Sequence, residues 1–404
     1  MFNQKIIALI TTSSNYQILI NINKLLYGEI LKEFKELYII DLQNLILFKK
    51  NKITKKIKTK INNIKIFKPN NSFELISFLK KKKLIAFNCL GKDFSTFKIY
   101  YILNKINLTQ ILLLNIGYLN NTVEVNKNNV NKNYVGAYFF YKRKVTSYIF
   151  KFLTIINVFP KIDYYLDSSK PTINNINSSF VRKIEKIFPK IKISFFRKAI
   201  NINSRSYDDI SNKKYFNKEK YLVFIDSFFE HGDRSVRDGL IKKKVIINYY
   251  STLANFLKKL SKIYNKKVII CMHPKNNSKL FLKYLKNFPV KKYKTQEMIK
   301  KSFIALFHES SSILDAVILK KNIIILKSDL LGNYFSSRVK QYEKLLNLQA
   351  VDISDYQSLK KSKLNLILSS SKQSNYYIKN HLNADGLIPG YRKVIKLLKK
   401  IDKG

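Results

Sequence analysis

Along most of the chain, short apolar runs alternate with longer stretches in which Leu and Ile recur at three- and four-residue spacing. The first kind reads as buried strand and the second as amphipathic helix. In the first half, residues 5–10 predict a strand, 11–15 a polar loop, 16–34 a helix and 37–41 the next strand. A Lys-rich excursion occupies 49–68. Strands at 84–89 and 110–115 flank a helix at 94–105. An Asn-rich loop follows at 120–133, and a helix over 138–159 leads to a strand at 162–167. Such alternation predicts a parallel sheet with helical crossovers.

Between 196 and 220 the pattern lapses into Asn, Ser, Asp and Lys, which predicts a link between domains. A second run opens with a strand at 221–226. Strands at 267–272, 290–293, 303–307, 322–326 and 350–353 then alternate with helices at 247–264, 277–287, 296–301, 313–319 and 334–346. The tail from 372 to 400 predicts helix apart from 386–390. The two halves share their alternation but no sequence repeat. A length of 404 residues fits two domains, and 46 % apolar residues supply two cores.

Charge changes the picture more than size does. The chain carries 76 Lys plus Arg against 26 Asp plus Glu, a formal +50. A protein this basic invites a nucleic-acid reading. Against it, nearly all the excess is Lys, spread along the whole chain among Ile and Asn, whereas bidentate recognition of phosphate and bases favours Arg. A bias in residue usage explains the pattern, and the field still favours an anionic membrane surface over nucleic acid. Cys89 and Cys271 stand far apart without metal-ligand spacing, as expected of a reducing compartment. The N-terminal apolar run at 6–10 is too short for a signal peptide. The longest apolar stretch, 145–159, is interrupted by Lys151 and ends at Pro160, so the chain is expected to sit on a membrane rather than cross it.

Three segments carry candidate chemistry, each at the carboxyl end of a predicted strand, where open α/β sheets bind ligands. The loop 226–239 gathers Asp226, Glu230, His231, Asp233 and Asp238. Deprotonating a hydroxyl needs a carboxylate or His within hydrogen-bond reach; the bland reading is a polar loop with Asx and Gly turns. With few acids and four His in the chain, the functional reading is preferred. Next, His273-Pro274-Lys275 ends a strand and turns into a helix, where His and Lys can neutralise a phosphate. A strand-end His bonded to backbone is the alternative, and Lys275 says little in a chain so rich in Lys. Third, His308-Glu309-Ser310-Ser311-Ser312 opens a helix. Hydroxyls and backbone N–H groups there form an anion site, or cap the helix and nothing more.

Familiar signatures are missing: Gly-x-Gly-x-x-Gly, Walker Gly-Lys-Ser/Thr, His-Glu-x-x-His, Cys-x-x-Cys and the Asp-x-Asp metal clamp. No dedicated metal and no cofactor are therefore expected. The order strand–His-Pro, then strand–(His-Glu)-Ser-Ser-Ser–helix, then an apolar strand resembles bacterial surface-polysaccharide transferases of the GT-B fold. These include the bacterial sialyltransferases, the capsule Kdo transferases and the CDP-glycerol glycerophosphotransferases. The resemblance covers roughly residues 221–329. It departs from the sialyltransferases, whose acidic-acidic-Gly motif is compact where Asp226, Glu230, Asp233 and Asp238-Gly239 are spread out.

This resemblance implies an α/β protein of two Rossmann-like domains facing across a cleft. Residues 1–200 would form the acceptor domain, 215–370 the nucleotide-sugar donor domain, and 371–404 helices that brace the lobes. His273, Pro274, Lys275, His308, Glu309 and Ser310–Ser312 would bind a CMP- or CDP-activated donor, such as that of sialic acid or Kdo. Asp226 or Asp233 would be the base, ahead of Glu230 and His231. The acceptor would be a surface polysaccharide or glycolipid at the inner face of the cell membrane. A CDP-glycerol-type polyol-phosphate transferase and a nucleotide-sugar epimerase are the alternatives on this fold. From another class, a non-catalytic binder of anionic polymer or nucleic acid remains.

Overall fold

The computed structural model describes residues 6–12, 16, 20, 23–34, 36–46, 64–106, 108–114, 134–169, 195–211, 220–230, 242–362, 364, 371–382 and 388–403. The chain divides into two compact units, one of Met1–Gly117, Lys142–Asp209 and Asn380–Gly404, the other of Tyr118–Tyr141 and Ile210–Lys379.

The first unit is built on a seven-stranded sheet, all parallel. Its strands are β1 (Ile6–Thr11), β2 (Leu37–Asp41), β3 (Ile64–Phe67), β4 (Leu84–Asn88), β5 (Thr109–Leu114), β6 (Ile162–Asp167) and β7 (Phe196–Asn201), in the order β3-β2-β1-β4-β5-β6-β7. Strands β2 and β4 are buried along their whole length, as expected for parallel strands covered on both faces. Helices Lys24–Glu33 and Gly390–Lys403 share one apolar cluster on the sheet, through Leu26, Tyr27 and Ile30 and through Val394, Ile395 and Leu398. Helix Ser72–Lys81 is capped by Asn71, whose side chain accepts from the Glu74 N–H at 2.9 Å.

Four of these elements depart from the sequence pattern. Strand β3 lies inside the Lys-rich excursion and helix Ser72–Lys81 follows it. The stretch expected to link the domains is not plain loop: it forms β7 and helix Arg205–Ser211, and the division between the two units falls inside it, between Asp209 and Ile210. β3 and β7 are edge strands, half exposed and studded with Lys and Arg, so no continuous apolar run betrays them.

The second unit repeats the plan with six parallel strands: β8 (Tyr221–Ile225), β9 (Val268–Met272), β10 (Val290–Lys292), β11 (Ser302–Phe307), β12 (Asn322–Lys327) and β13 (Val351–Asp352), in the order β10-β9-β8-β11-β12-β13. Helix Lys243–Tyr264 buries Tyr250, Leu253, Phe256, Leu257 and Leu260. It ends on Asn265 in the left-handed region (φ 47°), whose N–H returns to Lys262 and closes the last turn. In both sheets the chain runs outwards from its first strand, then returns to that strand's other side. The direction of winding therefore reverses between β1 and β4, and again between β8 and β11. At such a reversal the loops beyond the carboxyl ends part and leave a crevice.

Candidate functional site

The crevice of the second unit is occupied by loops from four strands. After β8 come Asp226 and Ser227, at the end of β9 Cys271 to Pro274, after β10 Thr295, and after β11 Glu309 to Ser312. Together they line a cavity of ≈ 320 Å³. The two motifs singled out in the sequence, His273-Pro274 and the Ser310–Ser312 run, thus open onto one space.

Asp226 holds this site together. Its carboxylate accepts from the Phe228 N–H at 2.9 Å, the His273 N–H at 3.0 Å and the Asn276 side-chain amide at 2.7 Å. Asn276, itself buried, passes the restraint on: its side-chain Oδ1 accepts from the Ser278 N–H at 2.9 Å. Ser278 in turn caps helix Lys279–Leu285 by accepting from the Phe281 N–H. Burial pushes the Asp226 carboxyl above the usual carboxylate range, and the bonds from Asn276, His273 and Phe228 pull it back. A carboxylate with three internal donors is committed to shaping the His273 turn.

The imidazole of His273 has a defined tautomer. Its Nδ1 takes a hydrogen bond from the Lys275 N–H at 3.2 Å, and a backbone N–H can only donate. Nδ1 is therefore bare, and in the neutral ring Nε2 carries the proton. One face of the ring stacks on Phe228 (centroids 5.7 Å, planes 25°). Phe228 adopts φ 51°, a conformation costly for a bulky residue, and the Asp226 carboxylate bonds its N–H in that state. The sequence thus spends local strain on placing an aromatic ring against His273.

On the opposite wall, Ser227 Oγ donates to the Glu309 carbonyl and receives the Glu309 N–H at 3.3 Å, tying the β8 and β11 loops together. Arg338, buried on helix Gly332–Leu346, pairs with Glu309 through Nε at 3.2 Å. Tyr342, one turn further on, donates its hydroxyl to the Ser310 carbonyl at 3.2 Å. The Ile313 and Leu314 N–H groups already bond the Ser310 and Ser311 carbonyls. Helix Ile313–Ile318 is also only six residues long. The donors this wall presents are accordingly hydroxyls rather than a helix terminus.

Not every expected residue joins the site. His308 is buried behind it. Its Nδ1 donates to the Leu326 carbonyl at 2.8 Å, and Phe224 and Tyr249 pack around the ring, so it serves the core. Lys275 is exposed and outside the cavity lining. Glu230 accepts from the Tyr250 hydroxyl at 2.8 Å, away from the lining. His231 and Asp233 lie outside the described residues, as does Asp238. Sequence reasoning missed Ser227, Asn276, Thr295 and Arg338; only Arg338 left a signal, as one of the few Arg in a Lys-dominated chain. Among the described residues no three His, Cys, Asp or Glu gather as a metal-binding group.

No family model matches the chain, and no curated protein matches it. Among solved structures, a variant of the wall teichoic acid polymerase TagF superposes with a TM-score of 0.57 at 14 % identity, over 99 % of this chain and 89 % of the polymerase chain. A UDP-GlcNAc 2-epimerase from Neisseria meningitidis, bound to UDP-GlcNAc, gives 0.48 at 14 % identity over 98 % of this chain and all of its own. The fold is therefore that of the GT-B proteins: two Rossmann-like α/β domains, each on a parallel sheet.

Proposed function

We propose that the chain is a glycosyltransferase whose second unit binds a nucleotide-activated donor, as a CMP-activated acidic sugar would be bound. One observation carries this reading: the His-Pro turn and the Ser-Ser-Ser loop open onto one cavity at the winding reversal of the second sheet. His273, protonated on Nε2, donates to the departing phosphate, and the hydroxyls of Ser310–Ser312 share that charge. Donors fixed before the reaction stabilise developing charge without reorganisation. Asp226 acts through the His273 turn. The base that deprotonates the acceptor then falls to the rest of the 226–233 loop, to Asp233 or His231, since Glu230 is turned to Tyr250. The acceptor is a glycan or glycolipid, and the positive field suits an anionic membrane surface.

A second reading, polyol-phosphate transfer, is favoured by the likeness to TagF, a polymerase of wall teichoic acid by its name. Both readings put a nucleotide in the same cavity. The test is thermal unfolding of the full chain with CMP, CDP, UDP and GDP. A ligand at about 100 times its Kd adds ~2.7 kcal/mol to a native state that alone binds it. One nucleotide should raise Tm, and His273→Ala should abolish the rise. If none does, or if the rise survives His273→Ala, the donor-site assignment is wrong.

A further inference from the structure

Helix Tyr134–Ile155 packs inward through Phe150, which meets Phe97 edge-on at 4.6 Å and Tyr100 at 5.0 Å on helix Phe97–Ile106. Its outer side is not polar. Val145 (50 % exposed), Tyr148 (37 %) and Phe152 (55 %), with Ile156 (48 %) in the turn that closes the helix on the Phe152 carbonyl, recur at spacings of three and four residues, which places them on one stripe. On helix Phe97–Ile106 and in the turn before it, Tyr101 and Phe94 are exposed as well. Scattered apolar residues on a surface need no explanation, but an aligned row of aromatic and branched side chains facing water does.

Charge says what covers it. Helix Tyr134–Ile155 carries Lys151 in its described part, helix Phe97–Ile106 carries Lys98 and Lys105, and neither sequence contains an acid. The Lys151 ammonium lies 5.7 Å from the Tyr148 ring centre, and Lys105 lies 5.5 Å from that of Tyr101. Paired Tyr and Lys on an apolar stripe match a headgroup boundary, where rings sit among acyl chains and ammonium groups reach up to phosphates. An aligned apolar stripe beside Tyr and Lys, on helices without an acid, suits an anionic bilayer better than a folded acidic partner.

We infer that this face of the first unit, centred on Tyr148, Phe152 and Ile156, is the surface by which the chain inserts shallowly into an anionic lipid bilayer. The inference deepens the membrane part of the proposed function and is independent of the donor site.

The chain contains no Trp, so Phe152→Trp gives a single reporter. Full-length protein is mixed with vesicles of phosphatidylcholine alone or with added phosphatidylglycerol. Insertion predicts a blue shift of Trp emission with the anionic vesicles only, and cosedimentation to match. Phe152→Ser with Ile156→Ser, which leaves the charge unchanged, should lower partition by at least about ten-fold, the factor for withdrawing apolar side chains of this size. Phe73→Ser, at an exposed Phe on helix Ser72–Lys81, should change nothing. Anionic binding without a blue shift, or undiminished in the double variant, would overturn the assignment. So would a concentration-dependent dimer, seen by light scattering, that the same substitutions dissolve. Loss of the nucleotide response with insertion intact would instead sink the proposed function alone.

Discussion

Both units present polar side chains at the carboxyl ends of their strands, yet the two sets have different partners. In the first unit Asp167, at the end of β6, accepts from the Tyr165 hydroxyl and the Ser169 N–H, each at 3.0 Å. Ser169 Oγ in turn meets His381 Nδ1 at 3.1 Å. Beyond β7, Ser204 N–H donates to the Leu382 carbonyl, the Asn203 amide to the Ile388 carbonyl, and the Tyr391 N–H to Asp208. These groups clasp the C-terminal segment of the same chain. In the second unit, the loops beyond β8, β9 and β11 leave ≈ 320 Å³ open among His273, Glu309 and the serines. The described rims thus differ in what fills them: the chain itself beyond β6 and β7 of the first sheet, a cavity beyond β8, β9 and β11 of the second. A Ser beside a His at a strand end is no sign of chemistry until its remaining neighbours are known.

The sharpest way to break this comparison is to remove the imidazole from each rim. His273→Ala should lower turnover with the nucleotide donor by about 10²–10³-fold, the usual loss for one charge-stabilising donor. His381→Ala should leave turnover unchanged, because His381 is assigned to the clasp. Steady-state rates of the two variants decide it; equal losses would erase the distinction between rims.

Stability should respond in the opposite sense. At Gly390 a Cβ would stand 2.6 Å from the Asn203 carbonyl and 3.2 Å from the Asp208 carboxylate, in the middle of the clasp. Gly390→Ala should therefore cost about 2–3 kcal/mol, as overpacking against fixed backbone does, and leave nucleotide affinity intact. Urea unfolding and the nucleotide-induced Tm rise measure the two effects separately. Unchanged stability would show that the clasp is loose.

Asp226→Asn sits between these cases. Its amide presents hydrogens where the carboxylate accepts three donors, so the His273 turn should loosen. Nucleotide affinity should fall about ten-fold, with ~1–2 kcal/mol of stability lost to unmatched buried donors. A group acting only as base would leave affinity intact when lost. Calorimetric titration of the variant separates the roles: unchanged affinity with a collapsed rate restores Asp226 as the base.

How much of this was legible follows from burial. Strands β1, β2 and β8 stand out because continuous apolar runs survive only where both faces are covered, or nearly so. β7 resembles linker in sequence because burial is what constrains a strand's residues, and none of this edge strand's positions is fully buried. In the site, His273 and the serines were legible as unusual side chains at strand ends. His308 looked equivalent, yet its burial against Phe224 and Tyr249 depends on a helix distant in sequence. The commitment of Asp226 to three donors, and the reach of Arg338 to Glu309, likewise arise only from tertiary contact.

The smallest expected effect is a pH dependence traceable to the first rim. Burial pushes the Asp167 and Asp208 carboxyls up to about 6, against opposing hydrogen bonds from Ser169 and Tyr165 and from Tyr391 and Asn203. An unfolded Asp titrates near ~3.9. Between about 4 and 6 the folded chain therefore holds protons that the unfolded chain has released. Stability falls as pH rises through that window and is fully present only below it. Each carboxyl should contribute on the order of 1 kcal/mol, since both retain hydrogen bonds when charged. Exposed Glu36 and Glu297, held low by Lys65 and Lys301, act in the other direction, and so does the growing positive charge of an already basic chain on acidification. Those contributions, and that of Asp226, are common to the wild type and to variants of the clasp, so the difference between them isolates the two carboxyls. Urea unfolding at pH 4 and pH 6.5 should show a shallower fall in Asp167→Asn and Asp208→Asn than in the wild type. If all three slopes coincide, neither carboxyl is protonated in the folded chain, and the first rim is more open to water than its hydrogen bonds imply.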